Sequence, residues 1–398
     1  MQIYCRCPTR VKFTYLFCFS LTLCLVLKIA IYMSSPPVTK QNIAKYFEAT
    51  SNKLTLLAHK YNCEAIDEFL KNGTTPREHL EFLAKPWRIN VSASPASLFH
   101  NNNVVELWSS IAVVKSSIMN ENRRFAIRET WGKFKFIDGV RLETVFILGT
   151  TDDIQLQKEI IEENGIYGDI LQVDLPDTKE NVPAKTLAGM RWISQNIPDT
   201  WLYSSVDDDF ILHPPNFIRY VESVKRDRIS KTLPIMCIYA YRKAEEINRK
   251  RGSPWYISPE QYAAKNWPPY CRGGWYTMPT ETASKLYEIS RTTPFLKLDD
   301  VWITGIIRLI MNDRENKPVP PGSHVSEYGI TFAPLADRTN NQLYYNQYEN
   351  DLGKVIVSHT WSGNYGLFAH SIENDIENIW SKWETAVLER MKYYIQAI

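Results

Sequence analysis

Trp201-Leu202-Tyr203-Ser204-Ser205-Val206-Asp207-Asp208-Asp209-Phe210-Ile211-Leu212 is the stretch on which the reading of this chain turns. Its first six residues, with aromatic and β-branched members, read as a buried strand; three carboxylates follow, then a second apolar run. Like charges at the end of a buried strand repel one another and lose water, a cost that a cation among them offsets. Alternate carboxylates turned toward one site give a divalent ion hard oxygen ligands and leave positions for water and phosphate oxygens. An exposed acidic turn or a helix start accommodates the same three residues, so the triplet is weighed with its surroundings.

Those surroundings alternate. Leu107 to Val114 reads as a strand, Glu121 to Trp131 as a helix, Thr144 to Leu148 as a strand and Ile154 to Glu163 as a helix. Asp169 to Val173 is strand-like, Val182 to Asn196 helical, and Trp201 to Val206 is the strand that ends at the triplet. This rhythm predicts an α/β fold with an open, mostly parallel sheet flanked by helices. Ligands of such sheets bind beyond the carboxyl ends of the strands, where Asp207 to Asp209 fall.

Of the 398 residues, 44% are hydrophobic and 13% aromatic, enough for a sizeable core and unlike a disordered chain. A net charge of +2, from 46 basic and 44 acidic residues, leaves no basic footprint for a nucleic-acid partner. Residues 13–33 form an apolar span interrupted only by Lys28, with Arg6, Arg10 and Lys12 before it. The expectation is a signal-anchor helix with residues 1–12 cytosolic and the body lumenal, in preference to a cleaved signal peptide. Residues 34–103 read as a polar stem carrying the sequons at Asn72 and Asn90, and 104–398 as the folded domain. Cys5 and Cys7 are positioned for palmitoylation. Cys63, Cys237 and Cys271 belong to the body; without CxxC spacing they speak against zinc and allow one disulfide of open pairing.

Four further segments carry chemistry. In Asn122 to Gly132, Arg124 and Arg128 share a helix face and suit either a diphosphate or a solvated amphipathic surface. Pro268 to Tyr276 holds Gly273-Gly274 between aromatics, either a close backbone approach to a bound ring or a structural turn. Leu298 to Ile307 opens a helix with Asp299 and Asp300, read as a cap or as a general base. Val355 to His359 is a strand ending in a histidine, structural or metal-ligating.

Taken in order, Arg123-Arg124-Phe125-Ala126-Ile127-Arg128-Glu129-Thr130-Trp131-Gly132, Tyr167-Gly168-Asp169-Ile170, Lys185-Thr186, Asp207-Asp208-Asp209-Phe210, Tyr270-Cys271-x-Gly273-Gly274, Asp300-Val301-x-x-x-Gly305 and His359 resemble the β-1,3-galactosyltransferase branch of glycosyltransferase family 31. The resemblance covers about residues 107–360 and implies a GT-A fold, a single-pass type II Golgi membrane protein, and inverting transfer from a UDP-sugar with Mn²⁺ or another divalent cation. The acceptor it implies is a glycan on protein or lipid, and the linkage β-1,3. It further implies Asp207, Asp209 and His359 as metal ligands, Asp300 as catalytic base with Asp299 beside it, and a UDP-sugar site. That site takes in Arg123, Arg124, Arg128, Lys185, Asp207, Asp208, Gly273, Gly274 and Trp275. The chain departs from the family pattern at Arg272, at Trp275 in place of a third glycine, at Asp299 in place of Glu, and after His359. Those departures leave room for a catalytically silent, glycan-binding or chaperone-like relative; a lumenal glycosidase or phosphatase lacks any matching ordered motifs.

Overall fold

The structure, a computed structural model, describes residues 64–71, 80–89, 91, 107–226, 235–237, 245–271, 273–314, 330–332, 357–359, 380–381 and 384. The expected span at 13–33, the sequon asparagines Asn72 and Asn90, Cys63 and Arg272 lie outside these residues. No helix among the described residues is long and apolar enough to cross a membrane.

In chain order the strands are β1 (Phe82–Ala84), β2 (Trp108–Lys115), β3 (Phe136–Ile137), β4 (Val140–Thr150), β5 (Ile170–Pro176) and β6 (Leu202–Asp207). They continue with β7 (Phe210–Leu212), β8 (Ile235–Cys237), β9 (Trp275–Pro279), β10 (Ile330–Phe332) and β11 (Val357–His359). All eight residues of β2 are buried, which is why its apolar part, Ile111 to Val114, is continuous and not alternating. The main sheet runs β1-β5-β4-β2-β6-β9-β8-β10, with β3 on β4, and a small sheet pairs β11 with β7.

The strands named by the β-α-β rhythm, β5, β4, β2 and β6, are mutually parallel. The expectation of a mostly parallel sheet fails at the flanks. There β1 runs antiparallel to β5, and β9 runs antiparallel to both β6 and β8. No helix in the sequence announces these flanking strands, and an antiparallel neighbour needs no crossover helix.

Local chemistry sets the helix ends. Asp153 Oδ1 accepts the N–H groups of Gln155 and Leu156 and starts the helix Ile154–Tyr167, which Gly168 ends in the left-handed region. The helix Glu121–Glu129 stops two residues before the expected Trp131 because the Thr130 hydroxyl turns back onto the Ala126 carbonyl at 2.6 Å.

Part of the region ahead of residue 104 packs on the folded domain. Ala65, Ile66 and Phe69, on a helix over 64–71, are buried in the core that contains Ile111, Val113, Tyr203 and Tyr276. β1 extends the sheet edge, with the Trp87 ring seated on Gly168. Polar composition hides these few anchoring residues from a reading based on windows.

Candidate functional site

From β2 the chain winds outward through β4 to β5, then returns to place β6 on the other side of β2. The crevice at the carboxyl ends of β2 and β6 is therefore the topological switch point, the usual ligand crevice of such sheets. Two residues close it. Lys115 and Asp207 are register partners, and Lys115 Nζ stands 2.8 Å from Asp207 Oδ1. The same ammonium lies 3.0 Å from Asp299 Oδ2, which also accepts from Thr186 Oγ1 at 3.2 Å. Burial works to discharge Lys115, but Asp207 and Asp299 more than offset it and hold its pKa well above the ordinary value. A lone lysine at a strand end carries no sequence signal, so Lys115 escapes the motif reading.

Asp208 is buried and saturated by neighbours from the β2 exit. Ser116 Oγ donates at 2.7 Å and Asn120 Nδ2 at 2.8 Å to Oδ2, while Arg123 Nη1 lies 2.9 Å from Oδ1. Lys185 supports that exit from below: its Nζ pairs with Asp177 at 2.6 Å and donates to the Ser116 carbonyl at 2.8 Å. Lys185 is thus spent on the loop and corrects the expectation of a direct donor contact.

Asp300 sits opposite. Its Oδ2 accepts the Gly273 N–H at 2.8 Å and its Oδ1 the N–H of Val301 at 2.8 Å. A π-helical turn, Val301–Ile307, begins at that second bond, a widened turn of the kind frequent at functional sites. Loss of water around the carboxyl and the neighbouring charge of Asp299 push Asp300 up to about 7, against the pull of the two N–H groups. The Cys237–Cys271 disulfide, with the Cys271 N–H on Thr304 Oγ1 at 2.9 Å, fixes the loop that presents Gly273. This settles the cysteine pairing left open by the sequence.

The two glycines serve the protein's own groups. Gly274 has φ 107°, and a Cβ there would overlap the Phe210 ring, which occupies the space expected for a ligand ring. Gly273 brings its N–H to Asp300, and a Cβ at this position would meet Asp300 Oδ2 at 3.4 Å, an ordinary contact. Trp275 is 1% exposed and packs edge-on against Phe217, ring centroids 6.0 Å apart. Its face is turned into the core and offers no stacking platform; this corrects its assignment to the sugar site.

The three arginines divide. Arg123 reaches Asp208, whereas Arg124 is fully buried with Nε and Nη2 on Glu163 at 2.8 and 2.6 Å. Arg128 pairs with Asp169 at 2.7 Å and Glu163 at 2.8 Å, its guanidinium carbon 3.9 Å from the Tyr167 ring centre. Arg124 and Arg128 therefore form neither a diphosphate grip nor a solvated face; they lock the first-motif helix onto the helix Ile154–Tyr167 and onto β5.

Two members of the acidic triplet have protein partners. Asp207 is engaged by Lys115, and Asp208 by Ser116, Asn120 and Arg123. No group of three His, Cys, Asp or Glu side chains that would hold a metal ion gathers among the described residues. Asp209 lies in the turn between β6 and β7, and β11 sets His359 in register with Phe210, the next residue.

Residues 122–315 match the profile of the galactosyltransferase family. A human β-1,3-galactosyltransferase 5 is 30% identical over 194 residues, 48% of this chain and 60% of that protein. A β-1,3-galactosyltransferase of Drosophila melanogaster is 34% identical over 50% of this chain and 58% of its own length. A lactosylceramide 1,3-N-acetyl-β-D-glucosaminyltransferase A of Xenopus laevis is 30% identical over 54% and 59%. The chain thus spans about 60% of the length of the relatives it matches. The likeness to β-1,3-galactosyltransferases read from the motifs holds over this region. A galactosyltransferase crystallised with donor and acceptor sugar analogues aligns at a TM-score of 0.32 and 13% identity, covering 68% of this chain and 95% of that one, too loosely to bear on the fold.

Proposed function

We propose that the protein transfers a hexose or N-acetylhexosamine from a UDP-sugar to a glycan acceptor on protein or lipid, with inversion and a β-1,3 linkage. The observation that carries this reading is Asp300: a carboxyl held by two backbone N–H groups, at about 7, beside the crevice that ends in Asp207 to Asp209. A base near the operating pH is best matched to accept a proton from a hydroxyl.

Asp300 takes the acceptor hydroxyl proton while that oxygen attacks the anomeric carbon and the bond to UDP breaks on the opposite face. One displacement inverts the centre, and charge at the carbon develops as in glycoside hydrolysis. Arg123, fixed by Asp208, stands at the donor side, and Asp209 with His359 would hold a divalent cation. A divalent cation such as Mn²⁺ held there would supply positive charge to offset the phosphate charge of UDP.

The Cys237–Cys271 disulfide, both cysteines fully buried, supports an oxidising compartment, in keeping with the apolar span at 13–33 and a type II Golgi membrane protein. The test is transfer from UDP-galactose, UDP-N-acetylglucosamine and UDP-N-acetylgalactosamine to a panel of saccharide acceptors, with the product linkage read by NMR. A β-1,3 product is expected; another linkage, or a retained anomeric configuration, overturns the proposal.

A further inference from the structure

The geometry points to Lys115 as a positioning residue: its buried ammonium holds Asp207, at the donor strand, and Asp299, beside the base, in one arrangement that places Asp300. This inference rests on the reading of the crevice as a glycosyl-transfer site.

Lys115 is the last residue of β2 and the register partner of Asp207, so its backbone is fixed by the parallel ladders to β4 and β6. Its side chain is 6% exposed and ends between two carboxylates, 2.8 Å from one and 3.0 Å from the other. Those carboxylates come from segments 92 residues apart, and Lys115 is the side chain that reaches both; the Gly273-Gly274 backbone also bridges the two segments, with the Gly274 carbonyl accepting the Asp207 N–H at 2.8 Å and the Gly273 N–H donating to Asp300. Thr186 Oγ1 steadies Asp299 from the side. Residues Tyr203, Ser205 and Tyr276, all buried, line the same sheet face as Lys115.

The arrangement also separates the roles of the acidic pair. Asp299 is spent neutralising Lys115, so Asp300 is the member that accepts a proton, and Asp299 is corrected from catalytic group to counter-ion. Without the ammonium, Asp207 and Asp299, whose side chains are 39% and 14% exposed, would face each other as like charges, which drives them apart. Asp300 adjoins Asp299 at the start of the π-helical turn, so a shift of one moves the other. Displacement of a reacting group by about 1 Å costs on the order of 100-fold in rate.

The experiment is a four-cornered comparison of wild type, Lys115→Met, Asp299→Asn and Lys115→Met/Asp299→Asn in the full chain. Each is measured for kcat and donor KM on a UDP-sugar, for UDP affinity by calorimetry, and for thermal unfolding. Lys115→Met is expected to lose about 100-fold in kcat. The double variant should regain at least about tenfold of that, because one of the opposed charges is gone. A rescue of this kind is what a merely structural lysine would not give. Lys115→Met that unfolds while the double variant folds supports the same conclusion. Lys115→Met within about threefold of wild type, a double variant no better than the single one, or failure of both to fold overturns the inference. A wild type that turns over no UDP-sugar and binds no UDP removes the transfer reading, and this inference with it.

Discussion

The backbone N–H of Gly273 donates to Asp300 Oδ2 at 2.8 Å, joining the glycine pair of one motif to the acid of another 27 positions away. That bond fixes the carboxyl without consuming the lone pair needed for a proton. Replacement by Asn keeps an acceptor for the N–H and removes the base. Asp300→Asn is expected to lower kcat by about 10³-fold while UDP affinity, read by calorimetry, stays within about threefold.

The pH dependence follows from the same carboxyl. Asp300 must be ionised to accept a proton, so kcat/KM should climb with pH and level off above about 7. Stability runs the other way. The folded protein holds this proton more tightly than the unfolded chain, where the carboxyl titrates near 3.8. The contribution is therefore full below about 3.8 and lost as pH rises through about 7. Denaturation of wild type and Asp300→Asn across pH 4 to 8 should show the wild type losing stability relative to the variant as pH rises; parallel curves would contradict it.

Gly273 and Gly274 are adjacent but should respond differently. Gly274→Ala puts a Cβ into the Phe210 ring at a φ of 107° and is expected to cost about 2–4 kcal/mol in urea denaturation. Gly273→Ala meets only an ordinary contact, keeps its N–H on Asp300, and is expected to cost about 1 kcal/mol or less. Equal losses would contradict the placement of the Phe210 ring.

Arg123 and Arg124, neighbours in the first motif, separate binding from folding. Arg124→Met leaves Glu163 buried without its bidentate partner and should cost about 3–5 kcal/mol. Arg123→Met, whose side chain is 23% exposed, should weaken UDP binding with a stability loss of about 1 kcal/mol. The readouts are urea denaturation and calorimetric UDP titration of the same two proteins.

Legibility in the sequence followed the range of the interactions. The strands β2, β4, β5 and β6 and the three helices between them announce themselves by local periodicity, and the triplet by its place at a strand end. Arg124 and Arg128 left a diphosphate grip and a solvated face both open because their partners, Glu163 and Asp169, lie 39 and 41 residues away in sequence. β1 is only three residues long and sits in a polar region, too short for a periodic signal. Lys115 is invisible for a similar reason: its meaning comes from Asp207 and Asp299, which only the fold brings to it. The glycine pair stood out by type with a ring approach and a structural turn both open, and the ring that packs on Gly274 is that of Phe210.

The measurement that bears most directly on the transfer reading is hydrolysis of UDP-sugars by the full chain, without acceptor, in Mn²⁺ and in a chelator, beside Asp209→Ala. The account predicts hydrolysis of at least one UDP-sugar, lost in the chelator and in the variant. A folded protein that hydrolyses none and binds no UDP, or an Asp209→Ala protein with full activity, would contradict it.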